Sequence, residues 1–413
     1  MEFADFILAH DGDDLGQLAL ARGRYAGEVE DFDLALTTLE VRRKLRDKVP
    51  EWFAMPALCY PLRLSGEQCS SSATARYKAR VALSASGTAI RLADLTGGLG
   101  VDSWAFAQVF RQVLYNEMRP ELASAATGNF QKLGADNIVV RNQELRPGHV
   151  ADVLDGFTPD IIFLDPARRS EDGRKVFRLE DCQPDVLQLL PELLSACPLL
   201  LLKLSPMADI SLVCRQLSCV REVHVVAAEG ECKELLLVLQ RDYTGPRTTF
   251  IVENDAVMLV DPVDQVQGMI GPGPKKSRTR STGEGTPHGK FLFEPGKALL
   301  KAGAFELPCQ YGLEKLGRHT HLYVGETVPE ELNPFGKVFR ILEMLPLNKA
   351  SFKEIGKRYP QAEVTARNIP LTAEALKAKL KVRSGGSIHI FGLHIDALDG
   401  NYLLVCHNPV AVK

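Results

Sequence analysis

What the chain lacks narrows it first. No apolar run approaches the roughly 18 residues that a membrane span needs, and MEFADFILAHDGDDLG, residues 1–16, carries acids where a secretory leader would carry Lys or Arg. Neither membrane insertion nor export is expected, and the expected location is the cytoplasm. The nine cysteines (59, 69, 182, 197, 214, 219, 232, 309 and 406) are odd in number, contain no Cys-x-x-Cys pair and mostly sit in apolar runs, the pattern of reduced, buried thiols. No charge sign dominates: the net charge is −3, so overall charge holds no polyanion and any such partner must be gripped by a local patch. There is no internal repeat, and no low-complexity tract beyond one basic stretch.

With 413 residues, the chain exceeds what one core usually serves, so two or three domains are expected. Residues 1–90 show helical spacing, as in DFDLALTTLEVRRKLRDK, where Leu34, Leu36, Leu39, Val41 and Leu45 approximate one apolar stripe. That segment ends in EQCSSSATARYKARVAL, with Ser70, Ser71 and Ser72 as candidate helix caps. From 91 to 243 short β runs alternate with helical stretches: IRLADL, QVLYNE, NIVVRN, DIIFLD and LLLLKLS, then EVHVVAAEG and KELLLVLQR. Such alternation implies a parallel sheet covered by helices. Only Glu229 to Lys233 separates the last two runs, too few residues for a crossover helix, so they form a hairpin. The expected fold class is therefore α/β, with five parallel strands plus an antiparallel hairpin.

Residues 244–330 read as a β-rich linker and a small ferredoxin-like subdomain. They contain a hairpin (TFIVEN, AVMLVDPV), the Gly/Pro/Ser/Thr-rich basic stretch GPGPKKSRTRSTGEGTPHGK, and a helix around Lys297 to Ala304. Residues 331–413 read as a compact α+β module: strand KVFRILEML, helix KASFKEIGKRY, strand AEVTARN, helix TAEALKAKLK, strands SIHIFGLHI and YLLVCH.

The stretch ADLTGGLGVDS lies between the first strand and a helix, where an open α/β sheet binds nucleotides. Asp94 closes the strand, and Gly97, Gly98 and Gly100 let the backbone turn tightly and approach a ligand. A dinucleotide fingerprint would place a third glycine three residues after Gly100, where Ser103 stands. An acid followed by a glycine turn suits a ligand with a zwitterionic amino-acid end, since Asp94 can attract an ammonium directly or through water. S-adenosylmethionine is such a ligand. At the second strand end, Glu117 is placed to accept both ribose hydroxyls; at the third, Asn142 and Gln143 are placed to hydrogen-bond adenine. Each residue alone could be an ordinary turn or surface group, but their order at successive strand ends argues for the cofactor.

The run from Asp94 to Asp102 resembles the first motif of class I S-adenosylmethionine-dependent methyltransferases, with Thr96 where many members have glycine, and the strand count is similar to their Rossmann-like seven-stranded sheet. EQCSSSATARYKA resembles the lid-like helix upstream of that motif in trimethylguanosine synthase and its bacterial relatives, which implies cofactor contact for Ser71 or Ser72. The whole chain resembles a bacterial family of RNA-methyltransferase-like proteins with a C-terminal THUMP-like domain, on the runs YGLEKLGRHTHLYVG and RNIPLTAEALKAKLKVRSGG.

The fourth strand runs into FLDPARRSEDGRK. In such a sheet its last side chain stands beside the transferable methyl, so Asp165 is the candidate that orients the acceptor nucleophile, while Pro166 fixes the turn. Base-amino methyltransferases resembling this one carry a second proline and an aromatic residue on which an extruded base stacks; here stand Ala167 and Arg168, whose guanidinium can itself stack on a base. Uracil-C5 methyltransferases need a cysteine after the fifth strand, where LLLKLSPMAD offers Lys203 and Ser205 instead. Arg168, Arg169, Arg174 and Lys175 fall within eight residues. Arginines in loops are commonly just solvated, but at this mouth Arg168, Arg169 and Arg174 are candidates for holding a substrate phosphate.

His319 and His321 are two residues apart on an expected strand without a supporting ligand cluster, and are read as a packed pair; no metal is assigned. Cys69 lacks a nearby base and is read as a small buried thiol. Between Lys349 and Arg383 nine Lys/Arg face three Glu. A solvated helix face explains much of that, but Lys377, Lys379 and Lys381, together with KKSRTR at 275–280, are candidates for tracking an RNA backbone. The leading expectation is a methyltransferase of structured RNA, tRNA or rRNA. The alternatives are a non-catalytic RNA-binding protein that keeps the cofactor fold, and a methyltransferase of a small molecule or protein.

Overall fold

Three short helices between Phe3 and Tyr25 precede the seventeen-residue helix α1 (Phe32–Lys48), capped by Asp31, whose carboxylate accepts the Leu34 amide. In the computed structural model, which describes residues 1–25, 27–168, 179–260 and 290–409, the buried residues of α1 include Phe32, Ala35, Leu39, Val41 and Leu45. Leu34 and Leu36, expected on the buried stripe, are only half-buried, because the steps of three and four residues from Phe32 define the packed face. A second long helix, α2 (Ser72–Ser86), starts with a reciprocal capping box between Ser71 and Thr74 and ends on Gly87 at φ +65°.

The chain divides into two units, Met1–His224 with Lys233–Arg247, and Val225–Cys232 with Thr248–Lys413. The first holds the parallel strands β1 (Arg91–Asp94), β2 (Gln112–Asn116), β3 (Ile138–Arg141), β4 (Ile161–Leu164) and β5 (Leu199–Leu204) in the spatial order β3-β2-β1-β4-β5. β4 is buried along its whole length, as expected of a strand covered on both faces. The helix after β1 is α3 (Val101–Ala107), and α4 (Pro120–Lys132) follows β2. The expected hairpin is β6 (Val220–Ala228) and β7 (Glu231–Gln240), turning through Glu229 and Gly230, both at positive φ. β7 runs antiparallel to β5, with Leu204 opposite Leu235. Strand order reverses between β1 and β4, so their carboxyl ends open side by side at the switch point where open α/β sheets bind ligands.

In the second unit, the hairpin β8 (Thr248–Glu253) and β9 (Ala256–Val260) continues from the distal part of β6, where the Asn254 amide donates to the carbonyl of Ala227. The sheet thus counts nine strands and not the expected seven; the class is unchanged, and the extra hairpin covers what would otherwise be an open sheet edge. Beyond it, β10 (Phe291–Pro295), β11 (Glu314–Lys315), β12 (Tyr323–Gly325), β13 (Gly336–Pro346), β14 (Glu363–Arg367), β15 (Ile388–Ile395) and β16 (Gly400–His407) form a seven-stranded sheet ordered β11-β12-β10-β13-β16-β15-β14. One sheet therefore runs through both expected C-terminal segments. Helices α5 (Lys349–Arg358) and α6 (Ala373–Leu380) bury Ile355, Leu376 and Leu380 against Ile390, Leu403 and Val405. A Cβ at Gly356 would overlap the carbonyl of Leu380, so only glycine there lets the two helices close on each other.

Candidate active site

Four strand ends converge at the switch. Asp94, at the end of β1, is 1 % exposed. One carboxylate oxygen accepts the Thr96 amide at 3.1 Å and the other the Ser103 hydroxyl at 2.5 Å. Burial pushes its pKa up to about 8 against the opposing Ser103 bond, with Asp102 adding to the rise. Asp94 therefore ties the glycine turn to the first turn of α3 through Thr96 and Ser103. Gly97 sits directly on the ring of Tyr115, where a Cβ would overlap the ring, and the Tyr115 hydroxyl donates to the carbonyl of Gly98 at 2.6 Å. Gly98 (φ +54°) and Gly100 (φ +95°) hold left-handed conformations.

Glu117, 9 % exposed, reaches across from β2. Its carboxylate accepts the amides of Gly98 and Arg119, each at 2.9 Å. Asn142 donates to the Glu117 carbonyl at 2.6 Å, while the buried Asn116 side chain joins the carbonyls of Leu95 and Gln143 and accepts the Gln143 amide. The ends of β1, β2 and β3 are thereby tied into one rim, on which Asn142 and Gln143 stand exposed.

Thr96 stands where glycine is commoner because its side chain is used. The Thr96 hydroxyl accepts the Asp165 amide at 2.7 Å, linking the glycine turn to the loop after β4. The Asp165 carboxylate is held by Lys203 of β5 at 2.7 Å. Burial works against the Lys203 ammonium, but Asp165 and Glu234 outweigh it and hold its pKa above the ordinary lysine value. Pro166 is buried. Arg168 lies in a two-residue ribbon strand paired with Cys182; Arg169 and Arg174, like most of the basic stretch at 271–290, lie outside the described residues.

Behind this mouth sits a buried polar network that the sequence reading missed. Lys78 of α2 is fully buried; its ammonium donates to Ser70 at 2.7 Å and to both Glu234 oxygens at 3.0 and 3.2 Å, and lies 3.1 Å from Asp102 Oδ1. Ser70 in turn donates to Asp102 Oδ2 at 2.8 Å. Burial opposes the Lys78 charge, yet Asp102 and Glu234 prevail and raise its pKa. Of the three serines, Ser70 thus enters the network, while Ser71 caps α2 and Ser72 bonds to Glu51. The signal was a lone charge, Lys203, in the otherwise apolar strand LLLLKLS, and Glu234 directly before the apolar run LLLVL, since buried charges require partners.

S-adenosylmethionine fits what is present. At Gly98 a side chain would project into open space, the nearest atom being the Thr96 carbonyl at 3.9 Å, so the turn forms a cradle that the glycine leaves clear. Asp102 Oδ1 is already paired with the Lys78 ammonium, so it is the clear space over Gly98 that suits the ligand. In the second unit, Lys377, Lys379 and Lys381 occupy the end of α6, with Lys381 as its left-handed cap. His319 lies in a turn and His321 directly after it, ahead of β12 and not on a strand; His321 is held at φ +49° with its ring stacked on Phe305 at 4.0 Å.

Comparison with known proteins agrees with this architecture. Residues 291–332 match a ferredoxin-like domain family and residues 336–408 a THUMP domain-like family. An uncharacterized S-adenosylmethionine-dependent methyltransferase of Mycobacterium tuberculosis, found in strains CDC 1551 and H37Rv, is 24 % identical over 335 residues, 80 % of this chain and 83 % of that protein. The crystal structure of a provisionally assigned methyltransferase from Porphyromonas gingivalis W83 superposes with a TM-score of 0.80 at 28 % identity, over 98 % of this chain and 97 % of that one. The fold class and the resemblance read from the sequence are borne out.

Two outcomes follow from the buried groups. Replacing Lys78 with Met strands Asp102 and Glu234 and is expected to lower unfolding free energy by about 3–5 kcal/mol, as measured by urea titration. Asp94 retains its proton in the folded chain up to about pH 8, whereas the unfolded chain releases it near the ordinary carboxylate value. The folded state therefore binds the extra proton between roughly pH 4 and 8, and its stability falls as pH rises through that window. Asp94→Asn should flatten that fall in urea midpoints taken across the window; an unchanged slope would contradict the assignment.

Proposed function

Taking the chain as a class I S-adenosylmethionine-dependent methyltransferase that ends in a THUMP-like module, we propose that it methylates a base of structured RNA, a tRNA or an rRNA. The observation that carries the reading is the joining of the glycine turn to the loop after β4 through Thr96 and Asp165, in a chain whose residues 336–408 match a THUMP-like domain.

When bound, the cofactor supplies an electrophilic methyl group on a sulfonium. This chain's residues position it and its acceptor. The backbone of Thr96, Gly97, Gly98 and Gly100 cradles the amino-acid end, with the carboxyl groups of Asp94 and Asp102 on its ammonium side. Ser71 or Ser72, at the start of α2, contacts its carboxylate. Glu117, already pinned at the rim by two amides, accepts the ribose hydroxyls, and Asn142 and Gln143 bind the adenine. Asp165, its carboxylate aimed by Lys203, accepts an N–H of the target base and so directs the lone pair along the transfer line. Pro166 fixes the loop, Arg168 stacks on the base, and Arg169 and Arg174 hold its phosphates. Lys377, Lys379 and Lys381 hold the RNA backbone.

The test is transfer of labelled methyl to total RNA from a strain lacking the gene, with the product nucleoside identified by mass spectrometry. Asp165→Ala is expected to lower turnover by at least about 10²-fold with cofactor affinity intact. Unchanged turnover would remove Asp165 from the mechanism, and label in no RNA fraction would turn the reading towards a small-molecule or protein acceptor.

A further inference from the structure

Helix α5 begins on a lysine and has no acid in its first turn, although a cation there opposes the helix dipole. Lys349, Lys353 and Lys357 follow at four-residue intervals and are all exposed, so they form one stripe with steps of about 6 Å along the axis. The two like-charged pairs they make weaken the helix. Among the described residues, no carboxylate pairs with any of the three. Glu354, on the same helix, is taken up by Arg358, which also pairs with Glu343. Burial of the other face through Ser351 and Ile355 accounts for the helix itself; nothing in its packing accounts for the lysines.

The stripe does not stand alone. Contact of Gly356 with the Leu380 carbonyl brings the last turn of α5, with Lys357, against the end of α6, where Lys379, Lys381 and Arg383 are exposed. Two basic stretches separated by more than twenty residues in sequence thus form one cationic face. The Tyr359 ring at its edge is half-buried and bonded to Glu343, so the face presents cations, mostly ammonium groups, ahead of any aromatic ring. That chemistry suits a sugar-phosphate backbone more than unpaired bases.

Building on the reading of the substrate as RNA, we propose that the α5–α6 face is the phosphate grip of the second unit, with Lys349, Lys353 and Lys357 as its principal contacts, and that it holds stem backbone without regard to sequence. The test measures affinity for mixed tRNA and for rRNA fragments across a salt series. The triple variant Lys349→Gln, Lys353→Gln, Lys357→Gln should reduce the slope of log affinity against log salt by about 2–3, at 0.7–0.9 per lost phosphate contact, with cofactor binding unchanged and the unfolding midpoint unchanged or raised. Lys353→Gln alone should reduce the slope by about 1, and the triple arginine variant should restore it. Wild-type binding with an unaltered slope in both glutamine variants would overturn the grip and leave the RNA reading standing. Failure of the wild type to bind either RNA would overturn the RNA reading, and this inference with it.

Discussion

A fully buried ammonium is the constraint from which the first unit is organised. Removing Lys78 from water carries a penalty of several kcal/mol unless geometry and hydrogen bonds compensate, and here Ser70, Asp102 and Glu234 meet it from three directions. Those partners belong to the segment before α2, the first turn of α3 and the antiparallel strand β7. One charge thus fixes the upstream helix, the helix that springs from the glycine turn and the hairpin edge in a single register. Hydrophobic packing alone would tolerate small slips between them; an ion network at 3 Å does not.

The same network runs forward to the proposed site. Lys203 answers the field of Glu234 behind it and Asp165 in front, and Asp165 is bound through its amide to Thr96. Glu117 closes the other side of the turn through Gly98. The site is thus positioned by side chains seated on strand ends, with the loops following the sheet. In-line methyl transfer requires that arrangement, because its rate depends on alignment far more than on proton transfer.

Much of this was legible in the amino-acid order. Apolar β runs and the short gap at Glu229 to Lys233 gave the parallel strands and the hairpin, and the C-terminal module followed strand by strand, because alternation and helix caps repeat there without ambiguity. Strand ends pointed to Asp94, Glu117 and Asp165, since open sheets place ligands there. What escaped was pairing across distance. Lys78 and Glu234 are 156 residues apart, and nothing within ARYKAR marks its lysine as buried. Of three adjacent serines, local preference favoured caps, correctly for Ser71, but nothing local tells that Ser70 turns inward. The two additional strands of the sheet were seen as a hairpin, yet their attachment to β6 is a tertiary fact that no local pattern carries.

The central claim is that the rim formed by the glycine turn and Glu117 holds a sulfonium cofactor beside Asp165. Calorimetric titration of the chain with S-adenosylmethionine addresses it directly. The account predicts saturable one-to-one binding that Glu117→Ala weakens by about 10-fold or more, equivalent to about 1.4 kcal/mol, without loss of fold. Absence of binding to the wild type, or equal affinity in the two proteins, would contradict it.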